Sequence, residues 1–208
     1  MGRSPKFSRH DMLRAALELA ADAGPHALTI ASLAAELGAP TGSIYHRFDG
    51  REQILAELWM QTVEGFQSDF IAALARADDA QGAIAAVRRT LDWTRRHVRE
   101  ARLLLLHRRQ DFVPGAWPPS LVARAAALEP ALGEALRAFA RRALGRADAN
   151  AMVRVRYALL DAPLGGVKPY LQAGKPPPRE LDALVAETLF TSLARASSTT
   201  SAPVRDRR

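Results

Sequence analysis

Between Pro40 and Arg51 the chain collects the side chains best suited to recognition chemistry. These are the hydroxyls of Thr41 and Ser43, the bare backbone of Gly42, the phenol of Tyr45, the imidazole of His46 and the guanidiniums of Arg47 and Arg51. Only Ile44 and Phe48 in this run are plainly buried types, and a spacing of four puts them on one face of a helix. A short helix that buries so little offers its other face to a partner. Small residues at its start let the backbone come close, hydroxyls donate or accept at base edges, and the phenol, imidazole and guanidiniums supply donors for phosphate oxygens. Thr29, heading the preceding helix, adds a hydroxyl and oriented N–H groups of the kind that hold phosphate. The chemistry indicated is the non-covalent reading of double-stranded DNA; an ordinary surface helix with a tyrosine at its edge is the competing role.

The sequence offers no comparable set for catalysis. His10, His26, His46, His97 and His107 lack metal-ligand spacing, and there is no cysteine to supply a thiolate. Neither a glycine-rich phosphate loop nor a nucleophile elbow occurs, and Asp78-Asp79 fits a turn. The chain reads as a non-enzyme without metal or cofactor.

The elements that must position the recognition run are helical. Alanine is abundant, β-branched residues rarely cluster, and apolar residues recur at spacings of three and four. Ser8 with Asp11 caps a first helix ended by Gly24-Pro25; Thr29 caps a second that stops at Gly38. Pro40 opens a third, reaching about Phe48 before Asp49-Gly50 breaks it. Two helices of about eight residues with a short glycine-containing turn make a helix-turn-helix. A long helix runs from Arg51 to about Ala77, and the next breaks near His97 into a short helix ending at Phe112. "VPGAWPPS" (113–120) is a loop, followed by a helix to about Leu144. The last two span about 148–162, extending toward 172 past Pro163, and 179–196.

The chain has 208 residues, 48% hydrophobic and 25% charged, which describes a globular protein with a real core. The N-terminal "MGRSPKFSRHDM" lacks a signal-peptide apolar run and no stretch nears the roughly 18 apolar residues of a membrane span, so a cytoplasmic location and no membrane partner are expected. The net charge of +7 draws polyanions only weakly as evidence, since residues 1–60 are nearly neutral. The excess lies between Arg88 and Arg109, between Arg146 and Arg156, and in the tail. Arginines spread around a helix with an intact apolar face form a solvated surface more readily than a DNA site.

From Ser8 to Trp59, and most of all in "LTIASLAAELGAPTGSIYHRFDGREQIL" (28–55), the chain resembles the TetR family of one-component transcriptional regulators. Gly38, Ala39, Pro40, Thr41, Gly42, Ser43, Ile44, Tyr45, His46, Arg47 and Phe48 follow the family's helix-turn-helix pattern in order, and Arg51 stands where a phosphate-touching Lys is usual. Pro40 lacks the hydroxyl cap often found there and Ala31 cannot read a base, which leaves Thr41, Gly42 and Ser43, with shape readout or an arm at Arg3 and Lys6. The resemblance implies an all-α chain. A DNA-binding three-helix bundle at 1–50 is joined by the long helix to a ligand-binding and dimerisation domain at 51–196, about nine helices in all. A polar, disordered tail follows at 197–208.

It further implies a homodimer through the last two helices and a small-molecule effector whose binding changes the separation of the two recognition helices. Candidate pocket residues are Trp59, Phe66, Trp93, Leu104, Phe112, Trp117, Phe139 and Tyr157, with His107 beside them for an anionic ligand; core packing is the competing role for each large side chain. The implied function is a ligand-responsive repressor released from its operator. The alternative is a helical adaptor or small-molecule-binding protein with weak or vestigial DNA binding.

Overall fold

The computed structural model describes residues 7–112 and 117–198, and among these only helices and turns occur. The helices are α1 (Arg9–Ala23), α2 (Ile30–Leu37), α3 (Thr41–Tyr45), α4 (Arg51–Leu74), α5 (Ala80–Arg96), α6 (Val98–Leu106), α7 (Arg109–Phe112), α8 (Pro119–Leu144), α9 (Ala149–Arg156), α10 (Ala162–Gln172) and α11 (Leu181–Ser198). A 3₁₀ turn at Pro25–Ala27 follows α1, and a π turn at Tyr157–Asp161 joins α9 to α10 without a break. Arg3 and Lys6, residues 113–116 and residues 199–208 lie outside the described residues.

Contacts divide the chain into two units. The first comprises residues up to Gly65, His97–Leu128 and Leu171–Lys175. Its helix starts obey local capping chemistry. The Ser8 hydroxyl accepts from the Asp11 amide at 3.1 Å while the Asp11 carboxylate accepts from the Ser8 amide at 3.0 Å, closing a capping box on α1. The Ser8 hydroxyl also donates to the Asp11 carboxylate at 2.7 Å, and this bond first, then the one from the Ser8 amide, holds the Asp11 carboxyl below its ordinary range. Thr29 and Ser32 make the same reciprocal arrangement on α2. Gly38, at φ 58°, sits in the left-handed conformation that ends α2 and turns the chain toward α3. The core of this unit includes Met12, Leu28, Leu33, Ile44, Phe48, Ile54 and Leu55, all fully buried, and each contributes about 2 kcal/mol by leaving water. Leu103 of α6, Phe112 of α7 and Leu121 of α8 belong to the same core.

The second unit comprises Phe66–Arg96, Glu129–Tyr170 and the chain from Pro176 onward. Here α11 packs on α5 and α9. α4 ends at Leu74 rather than near Ala77, because the following turn tightens through Arg76 N–H to Ala73 C=O and Ala77 N–H to Leu74 C=O. Arg142 donates to the carbonyls of Leu74 (2.9 Å) and Ala77 (3.1 Å), which the end of α4 leaves without an α-helical partner. A Cβ at Gly82 would lie 2.9 Å from the Ala77 Cα, so glycine permits the close return of α5. Asp79 accepts from the Gly82 amide at 2.8 Å at the start of that helix.

Of the basic series, Arg95 acts as a bolt, while Arg99 keeps to a solvated face with a carboxylate neighbour. Arg95 donates to the carbonyls of Pro177 (3.0 Å) and Pro178 (2.9 Å) and pairs with Asp182, which fixes the entry to α11. Arg99, in the first unit, pairs with Glu18 at 2.6 Å. At Pro163 the missing N–H and the ring's bulk are absorbed by the π turn, in which Ala162 N–H reaches back five residues to the Tyr157 carbonyl.

Candidate nucleic-acid interface

α3 begins immediately after Pro40, which caps it without a side-chain hydrogen bond. The Ser43 hydroxyl instead donates to the Pro40 carbonyl at 2.7 Å. The helix ends at Tyr45 rather than about Phe48, because Arg47 N–H takes the Ile44 carbonyl three residues back and His46 closes the element. Ile44 and Phe48 are fully buried and anchor this turn in the core. Thr41, Gly42 and His46 are exposed, Ser43 is half-buried, and the Tyr45 ring is 58% exposed despite its apolar body.

Gly42 is the informative residue of this helix. A Cβ placed on it would meet nothing within 4 Å, and its φ is not positive. Neither internal packing nor backbone conformation therefore requires glycine there, although glycine weakens a helix relative to alanine.

The C-terminal end of α3 is held by residues whose roles are not evident from the motif. Arg9 of α1 donates to the Arg47 carbonyl, lies with its Cζ 4.1 Å from the centre of the Phe48 ring, and bonds Glu57 Oε2 at 2.9 Å. Gln53 carries the network on: it donates to Glu57 Oε1 at 3.0 Å and accepts from the Asp49 amide at 2.6 Å. Gln53 and Glu57, four apart on α4, are the one sequence signal for this buttress.

Arg51 is engaged by carbonyls of the protein itself. Its Nε donates to the Leu28 carbonyl at 2.6 Å and its Nη2 to the Pro25 carbonyl at 2.9 Å, with Glu52 3.6 Å from Nη1. The fork thus ties the start of α4 to the turn before α2. Arg47 is half-buried and bonds the Ser43 carbonyl at 3.0 Å. Thr29 has its hydroxyl engaged with Ser32 in the α2 cap.

The nine candidate pocket residues fall into both units. In the first, Trp59 and Trp117 meet edge to face at 5.5 Å, Leu104 packs on the core, and His107 stands edge-on to the fully buried Phe112 at 6.2 Å. Burial, foremost, lowers the His107 pKa, with Arg102 and His26 adding to the effect and Asp111 opposing it. In the second unit Phe66 and Trp93 meet at 4.9 Å and Phe139 is fully buried, whereas Tyr157 is 49% exposed. Among the described residues no His, Cys, Asp and Glu grouping suits a metal ion, and no helix is long and apolar enough to cross a membrane.

Residues 12–58 match the family model of bacterial regulatory proteins of the tetR family. Over most of the chain the fold resembles solved structures of such regulators. PfmR from Thermus thermophilus is 20% identical, with a TM-score of 0.68 and coverage of 91% of this chain and 97% of that one. FadR from Bacillus subtilis, solved in complex with stearoyl-CoA, is 14% identical, with a TM-score of 0.66 and coverage of 90% and 98%. A putative tetR family regulator from a Shewanella species is 21% identical, with a TM-score of 0.65 and coverage of 88% and 95%. No curated protein matches the sequence.

Proposed function

We propose that this protein is a ligand-responsive DNA-binding transcriptional regulator, a repressor released from its operator by a small molecule. The observation that carries the reading is the tetR-family match over residues 12–58, within which Gly42 of α3 has open space where a side chain would be and no internal reason to lack one. A surface brought against α3 from outside supplies the reason, and the floor of a DNA major groove is such a surface. Around it, Thr41, Ser43 and Tyr45 offer hydroxyls, and His46 and Arg47 add donors for the phosphates that border the groove. Arg51 and Arg9 then serve as positioning residues that hold the helix at its angle.

Reading two half-sites calls for a two-fold pair. Val153 on α9, Tyr157 on the π turn, and Leu184 and Phe190 on α11 leave large apolar groups in solvent on elements that pack together in the second unit. An exposed set of this kind suits a second copy of the chain. FadR from Bacillus subtilis holds stearoyl-CoA on this fold. We infer that an effector of this protein binds in its larger helical part.

The discriminating variant is Gly42→Ala. With no contact to offend and a better helix former, it is expected to raise stability by about 0.5 kcal/mol in urea unfolding. Its added methyl is expected to weaken specific DNA binding at least tenfold, about 1.4 kcal/mol. A variant that is more stable and binds DNA as well as the parent would remove the argument from Gly42.

A further inference from the structure

Arg9 and Glu57 meet at the end of α3, and they differ in what can reach them. The Arg9 side chain is 43% exposed, open to a partner, whereas that of Glu57 is 17% exposed. Glu57 takes the guanidinium in a fork, Oε2 accepting from Nε at 2.9 Å and Oε1 from Nη2. The remaining nitrogen, Nη1, donates to the Arg47 carbonyl, and Cζ lies 4.1 Å from the centre of the Phe48 ring. All three guanidinium nitrogens are therefore engaged within the protein, beside the residues His46 and Arg47 that face the phosphates in the reading above. The carboxylate is itself held: Gln53, one turn earlier on α4, donates to Glu57 Oε1 at 3.0 Å and accepts from the Asp49 amide at 2.6 Å. Glu57 cannot turn away from Arg9 without breaking a chain of bonds that ends on the backbone between α3 and α4.

Sequence-independent affinity for DNA comes from cations on phosphates, whereas discrimination comes from a recognition element held in one register. A free guanidinium at the border of α3 adds to the first, and a loosened end of α3 subtracts from the second. The position of Glu57 bears on both. Residues 1–60 are nearly neutral, so one cation more or less is a large part of the field that phosphate meets there.

We propose that Glu57 sets the DNA specificity of this protein: it commits Arg9 to the end of α3 and so withdraws that guanidinium from sequence-independent phosphate contact. Glu57 acts through Arg9 and touches no DNA, which makes it a positioning residue. The proposal rests on the reading of α3 as the DNA-contacting helix.

The test is fluorescence anisotropy of the full chain on the DNA upstream of its own gene and on random DNA, each over a salt series, with circular dichroism to confirm that every variant is folded. Glu57→Gln frees Arg9. Random DNA is then expected to bind about fivefold more tightly at about 0.15 M salt, and the slope of log affinity against log salt to steepen by about 0.9, the share of one phosphate. Preference for the upstream DNA is expected to fall on the order of tenfold. The double variant Arg9→Gln/Glu57→Gln, which removes the freed guanidinium, returns the random-DNA slope to that of the parent. Glu36→Gln, which neutralises an exposed carboxylate on α2, is expected to steepen the slope by less than half as much. Gln53→Ala keeps both charges and removes only the amide's hold on Glu57, and is expected to move the slope and the preference in the same direction as Glu57→Gln, by less. An unchanged random-DNA slope in Glu57→Gln would make the pair a structural brace alone and overturn the proposal. Equal steepening by Glu36→Gln would assign the effect to net charge and overturn it as well. A parent that prefers neither DNA counts against the regulator reading, and the Glu57→Gln slope on random DNA still decides whether Glu57 withholds Arg9 from phosphate.

Discussion

Replacing Arg51 with alanine separates a structural brace from a phosphate contact. The guanidinium makes two charge-assisted bonds, to the carbonyls of Leu28 at 2.6 Å and Pro25 at 2.9 Å. Bonds to charged groups contribute about 1.5–3 kcal/mol each. Two considerations reduce the sum. The side chain is 28% exposed, so water replaces part of what is lost, and the Pro25 carbonyl keeps the Leu28 amide at 3.3 Å. The Leu28 carbonyl, on a fully buried residue, bears most of the loss. The expected destabilisation is about 2–3 kcal/mol, a fall in melting temperature of about 5–10 °C for a chain of this length. Arg51→Lys keeps the charge but not the fork, and is expected to fall between wild type and Arg51→Ala. Thermal unfolding by circular dichroism at fixed protein concentration, paired with DNA titrations on the same samples, reads both roles. If Arg51→Ala melts within about 1 °C of wild type while DNA affinity drops, the guanidinium serves phosphate and the brace argument is wrong.

Two further predictions concern assembly and pH. Leu184→Glu with Phe190→Glu, placing charge on two exposed apolar positions of α11, is expected to shift the proposed dimer toward monomer in light scattering without loss of helicity; a dimer that both substitutions leave unchanged would move the interface elsewhere. His107 has its folded pKa depressed below 6.5, chiefly by burial, so its neutral form belongs to the native state. Its contribution to stability is full above pH 6.5 and is lost as pH falls through the depressed value. His107→Gln is expected to flatten the slope of urea stability over that window, and identical slopes for the two proteins would refute the assignment.

Helix starts and stops were legible because their chemistry is local. Ser8 with Asp11, Thr29, and Gly38 announce the boundaries of α1 and α2 within a few residues of chain, and the structure places caps at each. The resemblance drawn from residues 8–59 is matched by the family model over 12–58 and by the all-α fold. Long-range partners were not legible. Arg9 meets Glu57 across 48 residues, and Arg51 meets Leu28 and Pro25 across 23 and 26, so a guanidinium that the motif offers to phosphate is occupied by carbonyls of the protein itself. Nor does side-chain size identify a pocket. Phe112 and Phe139 are fully buried and Tyr157 faces solvent.

The central claim, that α3 reads DNA, is tested most directly by fluorescence anisotropy of the purified protein on the DNA upstream of its own gene, against random DNA, over a salt series. The account predicts tight binding to one sequence, two or more subunits per site, and a preference over random DNA that persists as salt rises. Equally weak binding to both DNAs that vanishes with modest salt would reflect only the net charge of +7, and would contradict it.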